Sequence, residues 1–259
     1  MMADSLHPLP RFVLEVCVDT AAGVTVAAGN GTDRIELCAA LSEGGLTPSA
    51  GLMSMAARCG VPVRAMIRPR CGDFTYSAEE LDIMRGDIAT AAACGLEGVV
   101  FSANASSGEL DEAALHALCS QAHELGLKVA LNRGFDLVPD PLAALETAVR
   151  LGVATILTSG GANSAPQGIA GLEALVKAAK SRIEILAGSG VTADKAADLA
   201  RAGITAFHAS CSRPVDVTDN RAAALGYVTA TQRETDSQRV ASFRRALNSL
   251  PAETAHVVR

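Results

Sequence analysis

A single-domain (β/α)8 (TIM) barrel is the fold class the sequence predicts, and three observations predict it. The chain has 259 residues, close to the usual length of such a barrel. An Ala-rich, helix-like stretch ending in Gly, followed within a few residues by a short β-branched run, recurs at Gly31, Gly60, Gly95, Gly126, Gly152 and Gly203, and a seventh junction at Lys180-Ser181 has the same layout without the Gly. With the opening strand these junctions make eight strands, spaced by about 22 to 35 residues, which is one parallel strand plus one crossover helix per unit. A doubly wound open sheet is the rival architecture. It calls for a Gly-rich nucleotide turn after the first strand, and Cys17-Val-Asp-Thr20 is no such turn.

The elements follow from local signals. The first strand is read at Phe12–Val18 and the second at 34–38, both apolar runs broken by single polar residues. Gly at each helix-to-strand junction suits the left-handed position that closes a helix. Helix starts are read at Thr47-Pro48 and Asp140-Pro141, each a capping residue followed by proline, at the capping box Ser77-Ala-Glu-Glu80, and at Thr192 after the seventh strand. A final helix is expected over about 237–250, with Val240, Phe243 and Leu247 on one face. Residues 1–11 read as an N-terminal tail, 12–250 as the barrel domain and 251–259 as a C-terminal tail. The polar stretch 211–236 is a long loop after the eighth strand, expected to be a lid, a dimer contact or partly disordered.

Composition narrows the function classes. Hydrophobic residues make up 49% and charged residues 19%, enough apolar matter for a large core. There is no Trp and there are two Tyr, so the core rests on aliphatic side chains. A net charge of −6 argues against general affinity for nucleic acid or an anionic membrane surface. No apolar run approaches the length of a membrane span, and Met1–Pro10 lacks the basic and apolar segments of a signal peptide, so a cytoplasmic location is expected. Seven widely spaced cysteines without a C-x-x-C pair fit reduced thiols rather than a disulfide scaffold.

Barrel chemistry lies at the C-terminal ends of the strands. Strand alternation places Glu15 with Cys17 on one face, and Glu36 with Cys38. An unpaired buried carboxylate is costly, so both pairs are expected to face inward near the mouth, with Arg68, Arg70 or Arg133 as partners. Glu15 and Glu36 then read either as buried ion-pair members or as acid–base groups. The catalytic candidates are Glu15, Glu36, Asp136 and His208. Arg68 and Arg70 flank Pro69 in a long polar loop that also carries Asp73, and arginine suits bidentate capture of carboxylate or phosphate. Asn132 and Arg133 end the fifth strand, Ser159 and Gly160 follow the sixth, and Gly188-Ser189-Gly190 follows the seventh, where barrels hold phosphate. These form the candidate anion site. His116 and His123 read as surface residues on a helix, and Cys59, Cys94 and Cys119 as small packing residues.

The motifs Glu15-Val-Cys-Val-Asp19, Asp33-Arg-Ile-Glu-Leu-Cys38, Leu41-Ser-Glu-Gly-Gly-Leu-Thr-Pro48, Ile67-Arg-Pro-Arg70 with Gly72-Asp-Phe74 and Tyr76-Ser77, Arg133-x-Phe-Asp136, Leu157-Thr-Ser-Gly160 and Phe207-His208 occur in one order over about 12–210. In these the chain resembles the CutC family of copper homeostasis proteins. The resemblance implies a (β/α)8 barrel, a cytosolic homo-oligomer (dimer or tetramer) and Cu(I) as the metal ligand, held by Cys17 and Cys38. Thiolates select Cu(I). Two positions depart from the family pattern: Asn132 stands where it has His, and Cys71 where it has Gly. The rival reading is a lyase- or isomerase-type barrel enzyme for a small anionic, phosphorylated or sugar-derived metabolite. It gives the arginines and the Gly-rich turn a task that copper alone does not.

Overall fold

The computed structural model describes residues 12–216, 220–227 and 232–251. The tail expected at 1–11, all but the first residue of the tail expected at 251–259, and parts of the 211–236 stretch lie outside these. The predicted barrel is present: β1 (Val13–Val18), β2 (Arg34–Leu37), β3 (Val63–Met66), β4 (Gly98–Phe101), β5 (Lys128–Leu131), β6 (Thr155–Thr158), β7 (Glu184–Ala187) and β8 (Ala206–Ala209) form a closed parallel sheet, with β8 pairing back onto β1. Helices fill the crossovers: α1 (Ala21–Ala28), α2 (Ala50–Ala56), α3 (Ala78–Ala93), α4 (Glu112–Glu124), α5 (Pro141–Arg150), α6 (Ile169–Ala179) and α7 (Ala196–Arg201). The six junction glycines all have positive φ, and so do Lys180 and Ser181 at the junction that lacks one. Non-Gly residues pay a steric cost there, which explains why the other six junctions carry Gly.

The capping box at Ser77 and the Asp140 cap with Pro141 form as read. Two starts differ. α2 begins later, capped by Ser49, while the Thr47 hydroxyl exchanges hydrogen bonds with the backbone of Arg68. Thr192 precedes a 3-10 turn, but its hydroxyl donates to Asp194 instead of capping a backbone N–H. The stretch after β8 contains an antiparallel ribbon, β9 (Ser212–Val215) with β10 (Gln232–Thr235), and a short helix α8 (Asn220–Ala224). Its described residues therefore carry regular structure where a loop was expected. The last helix α9 (Ser237–Asn248) buries Val240, Phe243 and Leu247 as its periodicity predicts.

The main core lies between the sheet and the helix ring, where every second strand residue, such as Leu14, Val16, Ile35, Leu37, Ala65 and Val99, is buried. The alternate residues point into the barrel. Toward the top they form small apolar groups: Cys38 with Met66, Val100 and Ala130, and Leu157 with Leu186 and Ala206. Among the lower ones are charged groups. Arg64 donates to Thr155, Thr155 to Glu184, and Arg34 bridges Glu184 at 2.8 Å and Glu15 at 2.5 Å. This polar floor carries the mouth.

Candidate functional site

Glu15 and Cys17 on β1, Glu36 on β2 and His208 on β8 meet because β1 is hydrogen-bonded to both neighbours. Strand alternation turns all four inward. His208 Nδ1 donates to Glu15 Oε1 at 2.7 Å, and the other Glu15 oxygen takes Arg34. The partner of Glu15 is therefore Arg34 and His208. The expectation of Arg68, Arg70 or Arg133 is corrected here, because those guanidinia sit on loops above the sheet and are engaged elsewhere. Burial alone pushes the Glu15 carboxyl up, but Arg34, with help from His208, outweighs it and brings it down to about 2.

His208 Nε2 lies 3.8 Å from Glu36 Oε2. The Cys17 Sγ, a Glu36 oxygen and a His208 nitrogen are all within 4.8 Å of one another. Burial pushes the His208 imidazolium down, but Cys17 and Glu36, together with Glu15, raise its pKa well above the usual histidine value. Glu36 is raised, by burial first and the Glu15 charge against the pull of His208. Its Oε2 accepts from the Cys38 thiol at 3.5 Å, and its Oε1 is buried with no hydrogen-bond partner. Cys38 stands behind Glu36, fully buried, and burial together with the Glu36 charge pushes its thiol well above the ordinary range. The two inward thiols are thus not equivalent. Cys17 borders open space, and Cys38 is part of the packing.

Above this group opens a cavity of ≈ 870 Å³ lined by Cys17, Glu36, Arg68, Asn132, Arg133, Asp136, Ser189, Gly190 and His208, together with residues of the ribbon and α9. The sequence-predicted residues divide. Asn132 is held by a hydrogen bond from Gly134 N to its Oδ1, and its Nδ2 donates to the Met66 sulfur. Arg133 pairs with Asp136 at 2.8 Å and donates to Ser159. Asp136 also accepts from the Thr158 and Ser159 hydroxyls and the Ser159 and Gly161 amides, so its oxygens are occupied in tying the loops after β5 and β6 together. Ser159 is fully buried in that knot. Gly160 packs under α6, where a Cβ would come within 2.2 Å of the Gly168 carbonyl oxygen. Gly188 is likewise small because Leu157 fills its space. Arg70 and Asp73 do not line the cavity. They pair with each other on the outside of the third loop, with Glu80 as the second partner of Arg70.

The sequence reading missed Arg34, Arg64, Thr155 and Glu184 of the floor, and Arg233 and Arg239, which line the cavity from the ribbon and α9. Arg34 and Arg64 were legible by the same sign that exposed Glu36, a charge inside an apolar strand. Nothing local marks Arg233 or Arg239. All seven cysteines are free thiols. Among the described residues no helix is long and apolar enough to cross a membrane.

The CutC family model matches residues 12–213. A family protein CutC of Sinorhizobium medicae (strain WSM419) is 48% identical over 244 residues, covering 94% of this chain and 99% of that protein. One of Caulobacter vibrioides (strain NA1000 / CB15N) is 47% identical, covering 93% and 98%. The solved CutC structure from Streptococcus agalactiae superposes with a TM-score of 0.73 at 32% identity, over 77% of this chain and 98% of that one. Resemblance to 3-hexulose-6-phosphate synthase from Salmonella typhimurium, with a TM-score of 0.60 at 13% identity over 91% of this chain and 98% of that one, shows the shared barrel and nothing of the chemistry. With the motifs of β1 and β2, the matched span and these identities together, the chain belongs to the CutC family.

Proposed function

We propose that this protein serves copper homeostasis by binding Cu(I) at the barrel mouth, through Cys17 and His208 with Glu36 beside them. The observation that carries the reading is the meeting of one thiol, one imidazole nitrogen and one carboxylate oxygen within 4.8 Å, with Glu36 Oε1 buried and lacking a partner. The donor chemistry fits: a thiolate and an imidazole suit Cu(I), which accepts low coordination numbers. The hydrogen bond from His208 Nδ1 to Glu15 leaves Nε2 for the metal, and such a carboxylate behind a histidine orients the ring and strengthens it as a ligand. The name of the Streptococcus agalactiae relative, a copper homeostasis protein, supports the same role. Cys38, expected as the second thiol ligand, is given a supporting place through its bond to Glu36. A cytoplasmic setting suits seven unpaired cysteines, and a homo-oligomer is carried from the family resemblance.

Anaerobic Cu(I) titration against a competing chelator tests the reading. One-to-one binding that is lost in Cys17→Ser and largely kept in Cys38→Ser is expected. Binding indifferent to Cys17 would sink it.

A second reading has its own observation, the Glu15–His208 pair with Nε2 facing the cavity beside Glu36. A histidine held this way is a general acid or base for a bound substrate, as in lyase- or isomerase-type proton transfer on a small anionic metabolite. Turnover within a panel of phosphorylated and sugar-derived acids, followed by NMR and abolished in Glu36→Gln, would support it. No turnover across the panel would count against it.

A further inference from the structure

Arg34 and Arg64 point into the barrel and Arg68 lines its mouth, and the first two are neutralised. Arg34 is paired with Glu15 and Glu184, and Arg64 with Glu97. The third, Arg68, is only 6% exposed and has no carboxylate within ion-pair distance among the described residues. Its Nη1 donates to the carbonyls of Glu43 and Gly45 and its Nη2 to that of Gly72. Its Nε has no hydrogen-bond partner among the described residues. Phe74 stacks against the guanidinium, 4.8 Å from it.

Three carbonyls hold the guanidinium plane in place, but carbonyls carry dipoles and no net charge. A buried cation without a counter-ion is strongly penalised, whereas one that meets an anion in a low-dielectric pocket is not. Arg68 lines the ≈ 870 Å³ mouth cavity. The ribbon and α9 bring Arg233 and Arg239 to the same cavity; both donate to the Ser212 carbonyl and likewise have no carboxylate partner among the described residues. The cavity volume is in the range of sites for small organic molecules.

We propose that the mouth cavity binds a small organic anion, a carboxylate- or phosphate-bearing metabolite whose charge is taken up by the Arg68 guanidinium, with Arg233 and Arg239 lining the same cavity. The proposal deepens the acid–base reading by naming the groups that take up the metabolite's charge, and it does not depend on the copper reading. Arg68 is pre-organised by its three carbonyls and by Phe74, so binding requires little further ordering of this side chain. Arginine rather than lysine fits, because its planar fork can serve the loop carbonyls and still present N–H groups to an anion.

Isothermal titration of chelator-treated protein at fixed ionic strength tests it, with malonate and inorganic phosphate as separate probes. Saturable one-site binding of at least one probe is expected. Malonate alone would identify a carboxylate ligand and phosphate alone a phosphoryl ligand. Affinity should fall by about tenfold or more in Arg68→Lys, which keeps the charge and loses the fork. The exposed pair variant Arg233→Ala/Arg239→Ala should also weaken binding, and it decides alone if Arg68→Lys does not fold by circular dichroism. No saturation by either probe at tens of millimolar, or unchanged affinity in the variants, overturns the proposal. Because the titration is metal-free and reads binding at the arginines, its failure is distinguishable from loss of copper binding in Cys17→Ser and from loss of turnover in Glu36→Gln.

Discussion

Glu15 uses its two oxygens for two different tasks: Oε2 takes Arg34 in the barrel floor, and Oε1 takes His208 Nδ1 at the mouth. One carboxylate therefore links the part of the barrel that holds it together to the part that faces ligand. Replacing it with an amide keeps the shape and removes the charge. Glu15→Gln should lose about 3 kcal/mol of stability, because breaking a buried ion pair leaves its partner uncompensated. Arg34 retains Glu184, which keeps the variant folded. Urea unfolding measures the loss, and a loss well below 1 kcal/mol would contradict the assigned pairing.

The same residue predicts the acid limb of stability. Its carboxyl is depressed from 4.5 to about 2 in the folded state. Its contribution is therefore present above about pH 4.5 and is lost as pH falls toward 2. His208 acts in the opposite sense. Its pKa is raised above 6.5, so its contribution is full below that pH and declines as pH rises through the higher folded value. Urea midpoints across pH should fall on both sides, with the acid slope flattened in Glu15→Gln. An unchanged acid slope in that variant would refute the role of Glu15.

Copper affinity should rise with pH. At the proposed site, a metal held at Nε2 would replace a proton of His208, and one held at Sγ would replace the thiol hydrogen of Cys17. Each proton so released would make the affinity climb by up to about tenfold per pH unit, and the raised pKa of His208 extends its share of that climb above the usual histidine range. Chelator competition at several pH values reads the slope, and a flat profile would exclude both ligands.

Thiol reactivity should rank the cysteines by place. Cys71 is exposed, Cys17 borders the cavity, and Cys38 and Cys119 are buried with raised thiol pKa values, that of Cys119 pushed by burial to about 12. Thiolates are the reactive form. A disulfide reagent should modify Cys71 rapidly and Cys17 slowly, leaving Cys38 and Cys119 until unfolding. Early labelling of Cys38, read by mass spectrometry, would show that it is not shielded.

Gly98 on β4 lies opposite Lys128 on β5. A Cβ there would lie 2.4 Å from the Lys128 carbonyl oxygen, an atom of the backbone that cannot step aside. Gly98→Ala should cost about 1–3 kcal/mol, measured by the same unfolding assay, with copper titration unaffected in the folded fraction.

The barrel was legible because six of the seven helix-to-strand junctions repeat one signal, a glycine in the left-handed region followed by a β-branched strand. Glu36 and His208 were legible as polar interruptions of apolar strands. Their partners were not, because pairing depends on strand register and tilt. Arg34 reaches Glu184 across 150 positions of sequence, and no local pattern carries that. The loop arginines looked alike in sequence and differ in the fold: Arg70 is taken by Glu80 and Arg133 by Asp136, leaving Arg68. The weakest expectation was the 211–236 stretch, since a two-stranded ribbon of charged residues has no apolar periodicity to announce it.

The closure of β8 onto β1 also sets a schedule for biosynthesis. Glu15 and His208 are 193 positions apart, so a ribosome moving at about 5–20 residues per second leaves the first strand without its second neighbour for roughly 10–40 s. During that interval β1 is an open sheet edge, the kind of surface that pairs with other nascent chains. α9 adds to the delay, since Arg244 near the end of the chain ties down the Phe12 carbonyl beside β1. Every residue of the mouth that comes from β1 must therefore wait for the last fifth of the message, and a truncated transcript would yield a chain with most of its helices, an exposed seam and no pocket.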